Sequence, residues 1–409
     1  MRQSLITGIG IWSCLGRSQG EVAKSLRSGT PGIGISHARK VYGYQSSLTG
    51  LVSMPDLTKE PLRNAQRKCL SEPSIYAYMA VKQALAQASI TDCSRYALIV
   101  SNDSTACANA ETEGIMETYH DTRRVGGFQV FRSLNSTVSM ALASIFGFSG
   151  LSLTLSAACA GGGHAVGIAH SLIASGIIDA AVVVGAQEVG TLAYTAFDAL
   201  GVFSRNESSP STASRPFDKS RDGLVPSGGA AALVIESEEH YAQRFSMSGR
   251  LHYPMAEVLG YGFSTSPNIV SPSADSILAA MRMALGKETP VPQLTTIFPH
   301  ATSTRDGDSA EAQAISELTK RMERPPLTVP IKALTGHECW MSGVSTIVYA
   351  IIQQQGGFVS PHPHLAEKDS AASSLIIPTR PQEYNHGLCL CNSFGFGGTN
   401  AAIFLNLLP

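Results

Sequence analysis

Charge is scarce in this sequence of 409 residues: 15% are Asp, Glu, Lys or Arg, and the formal net charge is -1. A soluble domain usually carries about a quarter, so much of the surface is expected to be buried or tightly turned, as in a compact enzyme that forms an oligomer. No basic excess supplies a global field for nucleic acid, and no such partner is expected. Long apolar runs are missing as well. None reaches the roughly 18 residues of a membrane span, and the run before Gly8 is too brief for a signal-peptide core. A soluble, cytoplasmic protein without membrane contact is the expectation.

Paired cysteine motifs are also lacking. The eight cysteines (Cys14, Cys69, Cys93, Cys107, Cys159, Cys339, Cys389 and Cys391) include no C-x-x-C pair and form no dense framework. Neither a zinc site nor a disulfide scaffold is indicated, and a reducing cytosol is the simplest setting.

What is abundant is glycine, 38 residues, and one small-residue stretch organises the chain. Leu151, Leu153 and Leu155 alternate as in a buried strand, and Ala165, Ile168, Ala169, Leu172 and Ile173 recur at helix spacing. Cys159 lies at the join. A thiol at a helix N-terminus meets unpaired N–H groups and the positive end of the macrodipole, which favour a nucleophilic thiolate. The competing reading is a structural cysteine packed as a small hydrophobe.

The chain before it reads as a strand from Ser4 to Trp12 and a helix from Gln19 to Ser28. Gly8-x-Gly10 lacks the rest of a dinucleotide fingerprint and is read as turn chemistry. Residues 31–61 read as a surface excursion. Arg63, Arg67 and Lys68 open a helix that runs through Ile75 to Ala88, and residues 96–101 form a strand. An irregular segment containing Arg123 and Arg124 extends to about Val130, followed by a helix from Thr137 to Phe146. Beyond Cys159 comes an apolar strand at 179–185, then a polar loop with Arg215-Pro-Phe-Asp218 and Arg221-Asp-Gly223, and a strand ending near Ile235. A basic joint from His240 to Arg250 divides the chain into residues 1–245, carrying the cysteine, and 246–409.

The second half opens with a strand from Ala256. Leu294 to Phe298 is a strand ending in Pro299-His300-Ala301-Thr302-Ser303-Thr304, and the next helix opens with Asp306, Asp308 and Glu311. Lys332-Ala-Leu-Thr-Gly-His337 precedes a helix from about Ser342 to Gln354. Two C-terminal strands flank the glycine turn of Asn392-Ser-Phe-Gly-Phe-Gly-Gly-Thr-Asn400. Cys159, His300 and His337 each follow a strand end, where open α/β sheets collect ligands. They could equally hold a metal, but their separations match no compact ligand spacing, and none is expected.

With these motifs in hand, the sequence resembles, over nearly its whole length, the β-ketoacyl-acyl-carrier-protein synthases of the elongating type. In order and type it is similar to the first-type synthases of bacterial fatty-acid synthesis and to ketosynthases of type II polyketide systems. The resemblance implies a thiolase-like α/β fold, with two similar mixed halves forming a five-layered α-β-α-β-α core, and a dimer. It implies that Cys159 accepts an acyl chain, with the backbone N–H groups of Cys159 and Phe396 as oxyanion hole, and that His300 and His337 hydrogen-bond the malonyl thioester carbonyl. Lys332 stands behind His300, held by Glu311, with Asp308 in support. Thr302 and Thr304 bind the phosphopantetheine arm on which substrates arrive, so no resident cofactor is needed, and Phe396 gates the acyl pocket. Arg63, Arg67, Lys68, Arg123 and Arg124 become landing sites for an acidic acyl carrier protein.

Three positions depart from the family pattern. Ala301 replaces a glycine, Glu338-Cys-Trp-Met-Ser342 with its Trp340 replaces a run of small residues, and Thr346 stands where the elongating enzymes carry a glutamate. These point to a specialised ketosynthase, for example one building a polyene or aryl polyene. A thiolase would use Cys389 or Cys391 as base, but both alternate with leucines in a strand. A chain-length partner subunit would lack the nucleophile that Cys159 retains, although this chain could be the active half of such a heterodimer.

Overall fold

The computed structural model describes residues 2–248, 253–269, 272–286 and 293–409. Its sheet strands are β1 (Ser4–Ser13), β2 (Ala97–Ser101), β3 (Ser152–Leu155), β4 (Ala180–Gln187), β5 (Gly229–Ser237), β6 (Ala256–Thr265), β7 (Thr296–Phe298), β8 (Leu327–Thr328), β9 (Leu388–Phe394) and β10 (Thr399–Leu407). The larger helices are α1 (Gln19–Ser28), α2 (Glu72–Gln87), α3 (Ala106–Tyr119), α4 (Thr137–Phe146), α5 (Gly161–Ala174), α6 (Ala274–Leu285), α7 (Arg305–Thr319) and α8 (Ser342–Gly356).

The ten strands lie in the order β8-β7-β9-β10-β6-β1-β5-β4-β2-β3. Read outward from the middle, the halves β1-β5-β4-β2-β3 and β6-β10-β9-β7-β8 repeat one pattern. In each, the strand that comes last in the chain (β5 or β10) runs antiparallel to its two neighbours, and the one that comes second (β2 or β7) runs parallel to its own. Within the main sheet, the described residues of the two halves pair where Ser4, Leu5 and Ile6 meet Val258, Glu257 and Ala256. Strand alternation sends side chains to both faces of each half. Ile9, Ile11, Val183, Leu233, Ile403 and Leu405 enclose α5 and α8 in one central cluster. Leu98, Val100, Val182 and Val234 face α2 and α4 on one outside, while Ile297, Leu390 and Phe404 face α6 and α7 on the other. The result is the five-layered α-β-α-β-α arrangement.

Local signals account for several boundaries. Ser18 caps α1 by accepting from Glu21 N, and Gly29 ends it at φ 67, a left-handed position that glycine adopts without strain. Four expectations need correction. Residues 31–61 are no mere surface excursion, because Ile33–Ile35 pairs with Leu48–Gly50 and the fully buried Arg39 donates to Leu48 O at 2.7 Å. The basic residues do not open α2: Arg67 and Lys68 lie on a separate short helix, Asn64–Cys69, with Arg63 at its N-cap. Pro73 in the first turn of α2 disfavours helix before it. The irregular segment contains α3, whose only buried residue is Ala108, so no apolar stripe announced it. And β3 is not buried but is an edge strand of the sheet, with Ser152 exposed and Leu151, just before it, 42% exposed. The division after residue 245 falls inside a helix at Glu238–Ser248, and the end of the expected joint, Gly249 and Arg250, lies outside the described residues.

Candidate active site

Cys159 sits in the turn Ala158–Ala160 between β3 and α5. Ala158 holds a left-handed φ of 47. The Asp103 carboxylate accepts from Ala158 N at 3.0 Å and from the Ser156 hydroxyl, so the turn is pinned from β2's side of the sheet. Cys159 is 3% exposed, and its sulfur lies 3.0 Å from His337 Nε2. It is favoured as thiolate: a hydrogen bond from Cys339 holds it well below the usual thiol range against its burial, and His337 and the Lys332 charge pull the same way. The Cys159 sulfur and burial keep the Cys339 proton in place.

His300 follows β7, and its ring meets that of His337 edge-on at 5.0 Å. Burial, with the charges of Lys332 and His337, holds His300 well below the usual imidazole range, so it is neutral. Its Nδ1 meets no hydrogen-bond partner among the described residues. Glu311, in α7, accepts from the backbone N–H of His300 at 2.8 Å and of Ala301 at 2.7 Å, and from Asn392 Nδ2 at 3.0 Å. Glu311 thus holds the His300 loop directly, and its charge also acts on Lys332 against the effect of burial, although the two make no ion pair. Lys332 forms none among the described residues, and its burial lowers its ammonium from the usual value. Asp308 supports the next turn, accepting from Ser303 N and Phe217 N and pairing with buried Arg221 at 3.5 Å. Ala301, Ser303 and Phe217 all have positive φ, and these carboxylate bonds hold the strained loop in shape.

Cys159, His300, His337 and Glu311 line one cavity of about 320 Å³, together with Cys339, Phe197, Phe396, Thr302 and Thr304. Thr302 and Thr304 pair their hydroxyls at 3.0 Å at its wall. The glycine turn after β9 abuts the cysteine turn: a Cβ on Gly395 would meet Cys159 N and Ala158 Cβ at 3.0 Å. Phe396 stacks on Phe197, whose ring also meets Trp340. Trp340 is buried behind the cavity among Tyr194, Phe203 and Leu224.

The whole-chain comparisons match this geometry. Residues 2–240 match the β-ketoacyl synthase N-terminal domain and residues 255–366 its C-terminal domain. The chain belongs to the β-ketoacyl synthase family. 3-Oxoacyl-acyl-carrier-protein synthase 1 of Escherichia coli strain K12 is 33% identical over 100% of both chains. The protein of that name from Haemophilus influenzae is 31% identical over 98% of both. Two solved structures, a β-ketoacyl synthase from Burkholderia phymatum STM815 and the ishigamide ketosynthase/chain length factor, superimpose with TM-scores of 0.89 and 0.88. Their identities are 25% and 26%, over the full length of both chains.

In this β-ketoacyl synthase the basic residues reach the surface unequally. Arg63, Lys68, Arg123 and Arg124 are exposed, and the Lys68 ammonium sits 5.7 Å from the Phe128 ring. Arg67 is turned inward, its guanidinium donating to the carbonyls of Leu57, Glu60 and Leu62. Arg123 pairs with Asp121 at 2.9 Å. Asp103, Cys339 and the carboxylate of Glu338 are the site residues that sequence reasoning missed. Only Glu338 and Cys339 carried a signal, as departures beside His337.

Proposed function

We propose that the synthase catalyses decarboxylative Claisen condensation between an acyl chain held on Cys159 and malonyl-acyl-carrier protein. The observation that carries this is the placement of His337 Nε2 3.0 Å from the Cys159 sulfur, with the neutral His300 ring beside it in one cavity. Cys159 thiolate attacks the acyl thioester carbonyl and the carrier thiolate leaves, taking a proton. The carbonyl oxygen lies against the backbone N–H groups of Cys159 and Phe396. Malonyl thioester then enters along Thr302 and Thr304, and its carbonyl accepts hydrogen bonds from His300 and His337. Carbon dioxide departs, the imidazoles hold the enolate, and the carbanion attacks the acyl-cysteine and expels the thiolate. Removing one such donor costs about 3–4 kcal/mol in comparable sites. Lys332, Glu311 and Asp308 act through the histidine loop. Substrates carry their own phosphopantetheine arm, so no further cofactor is required.

Arg63, Lys68, Arg123 and Arg124 form the landing patch for the acidic carrier protein, with Arg67 as its internal brace. The half-buried edge strand β3 and the exposed Phe131, Leu134 and Leu151 form a face for a second copy or a related subunit. Cys159 makes this chain the active member of either pair. The aromatic wall of Phe197 and Phe396, backed by Trp340, suits a specialised chain such as a polyene, in a cytoplasmic pathway. Intact mass after incubation with acyl-carrier thioesters, then malonyl carrier, tests the reading. An adduct that vanishes with release of β-ketoacyl carrier, and is absent from Cys159→Ala, is expected. An adduct persisting in Cys159→Ala would falsify it. Equal elongation of saturated and unsaturated acyl carriers would remove the specialisation.

A further inference from the structure

A second thiol stands beside the nucleophile, and condensation uses only one. Cys339 opens the turn Cys339–Met341 in the left-handed region at φ 43. Its sulfur, the Cys159 sulfur and a ring nitrogen of His337 all lie within 4.8 Å of one another, and all three residues are buried. We propose that Cys159, Cys339 and His337 form a binding site for a zinc-class divalent cation, and that its occupancy silences the synthase by capturing the acyl-accepting sulfur.

The donor set and its dimensions suit such an ion. Zinc takes thiolate at about 2.3 Å and imidazole at about 2.0 Å in tetrahedral geometry, which puts ligand atoms about 3.5–3.8 Å apart. The present separations, from 3.0 Å between His337 Nε2 and Cys159 Sγ to at most 4.8 Å, bracket that range, so shifts of about 1 Å suffice. Ser342 Oγ lies 3.4 Å from His337 Nδ1 and can fix the ring with Nε2 facing the ion, the outer-shell support that metal-bound histidines use. All three residues line the substrate cavity, which provides an entry path and an open fourth position. Two thiolates balance the charge of the ion, and binding releases the Cys339 proton. The other grouping of this kind, Glu72, Cys107 and Glu188, carries no such argument. Its carboxylates already accept from the backbone N–H groups of Val189, Gly190, Ala106 and Cys107.

The silencing rests on the condensing function proposed above; the metal site does not. The full chain, reduced with a phosphine in metal-free buffer, is titrated with cobalt(II). One equivalent should give thiolate-to-cobalt charge-transfer absorption and tetrahedral visible bands, and one equivalent of zinc should erase both. Cys339→Ala and Cys339→Ser should each lose the bands, with near-ultraviolet circular dichroism reporting that the fold is kept. Wild-type protein that gives no charge-transfer band, or either folded variant that keeps it, would overturn the site. Zinc-loaded protein should form no acyl adduct by intact mass until a chelator is added. Acylation undiminished by bound zinc would overturn the silencing. A protein that never acylates yet shows the cobalt bands would overturn the condensing function and leave the site standing.

Discussion

At the scale of single residues, Glu338 and Gly395 show how the site is supported from behind and in front. Glu338 is 2% exposed, and its carboxylate accepts from Ser345 Oγ and Tyr349 Oη, both at 2.6 Å. Burial pushes its carboxyl up to about 7, with Ser345, Tyr349 and Lys332 acting against that push. It supplies a buried carboxylate behind the site, although α8 carries Thr346 where elongating relatives were expected to carry a glutamate. Tyr349→Phe removes one of its two donors and should cost about 1.5–3 kcal/mol of stability in urea unfolding, the range for hydrogen bonds to charged groups. An unchanged midpoint would mean that the carboxylate does not depend on that donor. In front, Gly395→Ala forces a methyl against Cys159 N, displacing an oxyanion donor. Acylation by intact-mass time course should slow about 100-fold or more, with the melting temperature far less affected. Cys159, His300 and His337 were legible because each sits in a compact motif. Glu338 and Cys339 act across distant elements, so sequence marked them only as departures.

At the scale of elements, the site depends on the crossing of α5 and α8, which is made glycine on glycine. A Cβ on Gly343 would lie 1.9 Å from Gly163 N and 2.5 Å from Gly162 C, and these are backbone atoms that cannot swing aside. The turn carrying Cys159 leads into α5, and the segment carrying His337 leads into α8, so the distance between the helices sets the sulfur-to-imidazole distance. Gly343→Ala should therefore destabilise by about 3 kcal/mol or more, beyond the common range for overpacking. In whatever folds, it should lose acylation through separation of Cys159 from His337. Urea unfolding and intact mass read the two effects. Near-native stability in this variant would show that the helices can separate freely. Helix ends were legible where capping is local, as at Ser18 and Gly29 around α1. The course of α3 was not, because a helix whose described burial is confined to Ala108 has no apolar periodicity to display.

At the scale of the whole molecule, the two halves share one strand order but only three paired residues across their seam, at Ser4, Leu5 and Ile6. The duplication was legible only through the family resemblance, since the repeat lies in strand order and direction, and neither is written in local periodicity. Beside the seam, buried Glu236 in β5 accepts from Thr7 in β1, from Tyr96, and from Arg244, and His240 Nδ1 lies 2.9 Å away. It thereby ties the helix at Glu238–Ser248 to the sheet of the first half. Burial would raise this carboxyl, but the bonds from His240, Arg244 and Thr7 outweigh it and hold it at about 2, below its ordinary 4.5. The unfolded chain therefore takes up this proton first as pH falls. The stabilisation is complete above 4.5 and is lost as pH drops from 4.5 towards 2, on the order of 3 kcal/mol in all. Asp308 works in the opposite sense: burial pushes it up to about 7, so it removes stability as pH rises from 3.8 to 7. Comparing wild type with Glu236→Gln separates the two, because Asp308 is common to both. Urea midpoints at pH 7, 4.5 and 3 should show a variant weaker at pH 7 whose deficit shrinks as pH falls. Parallel curves would mean that Glu236 titrates alike in the folded and unfolded chain, and that the knot beside the seam contributes shape without charge.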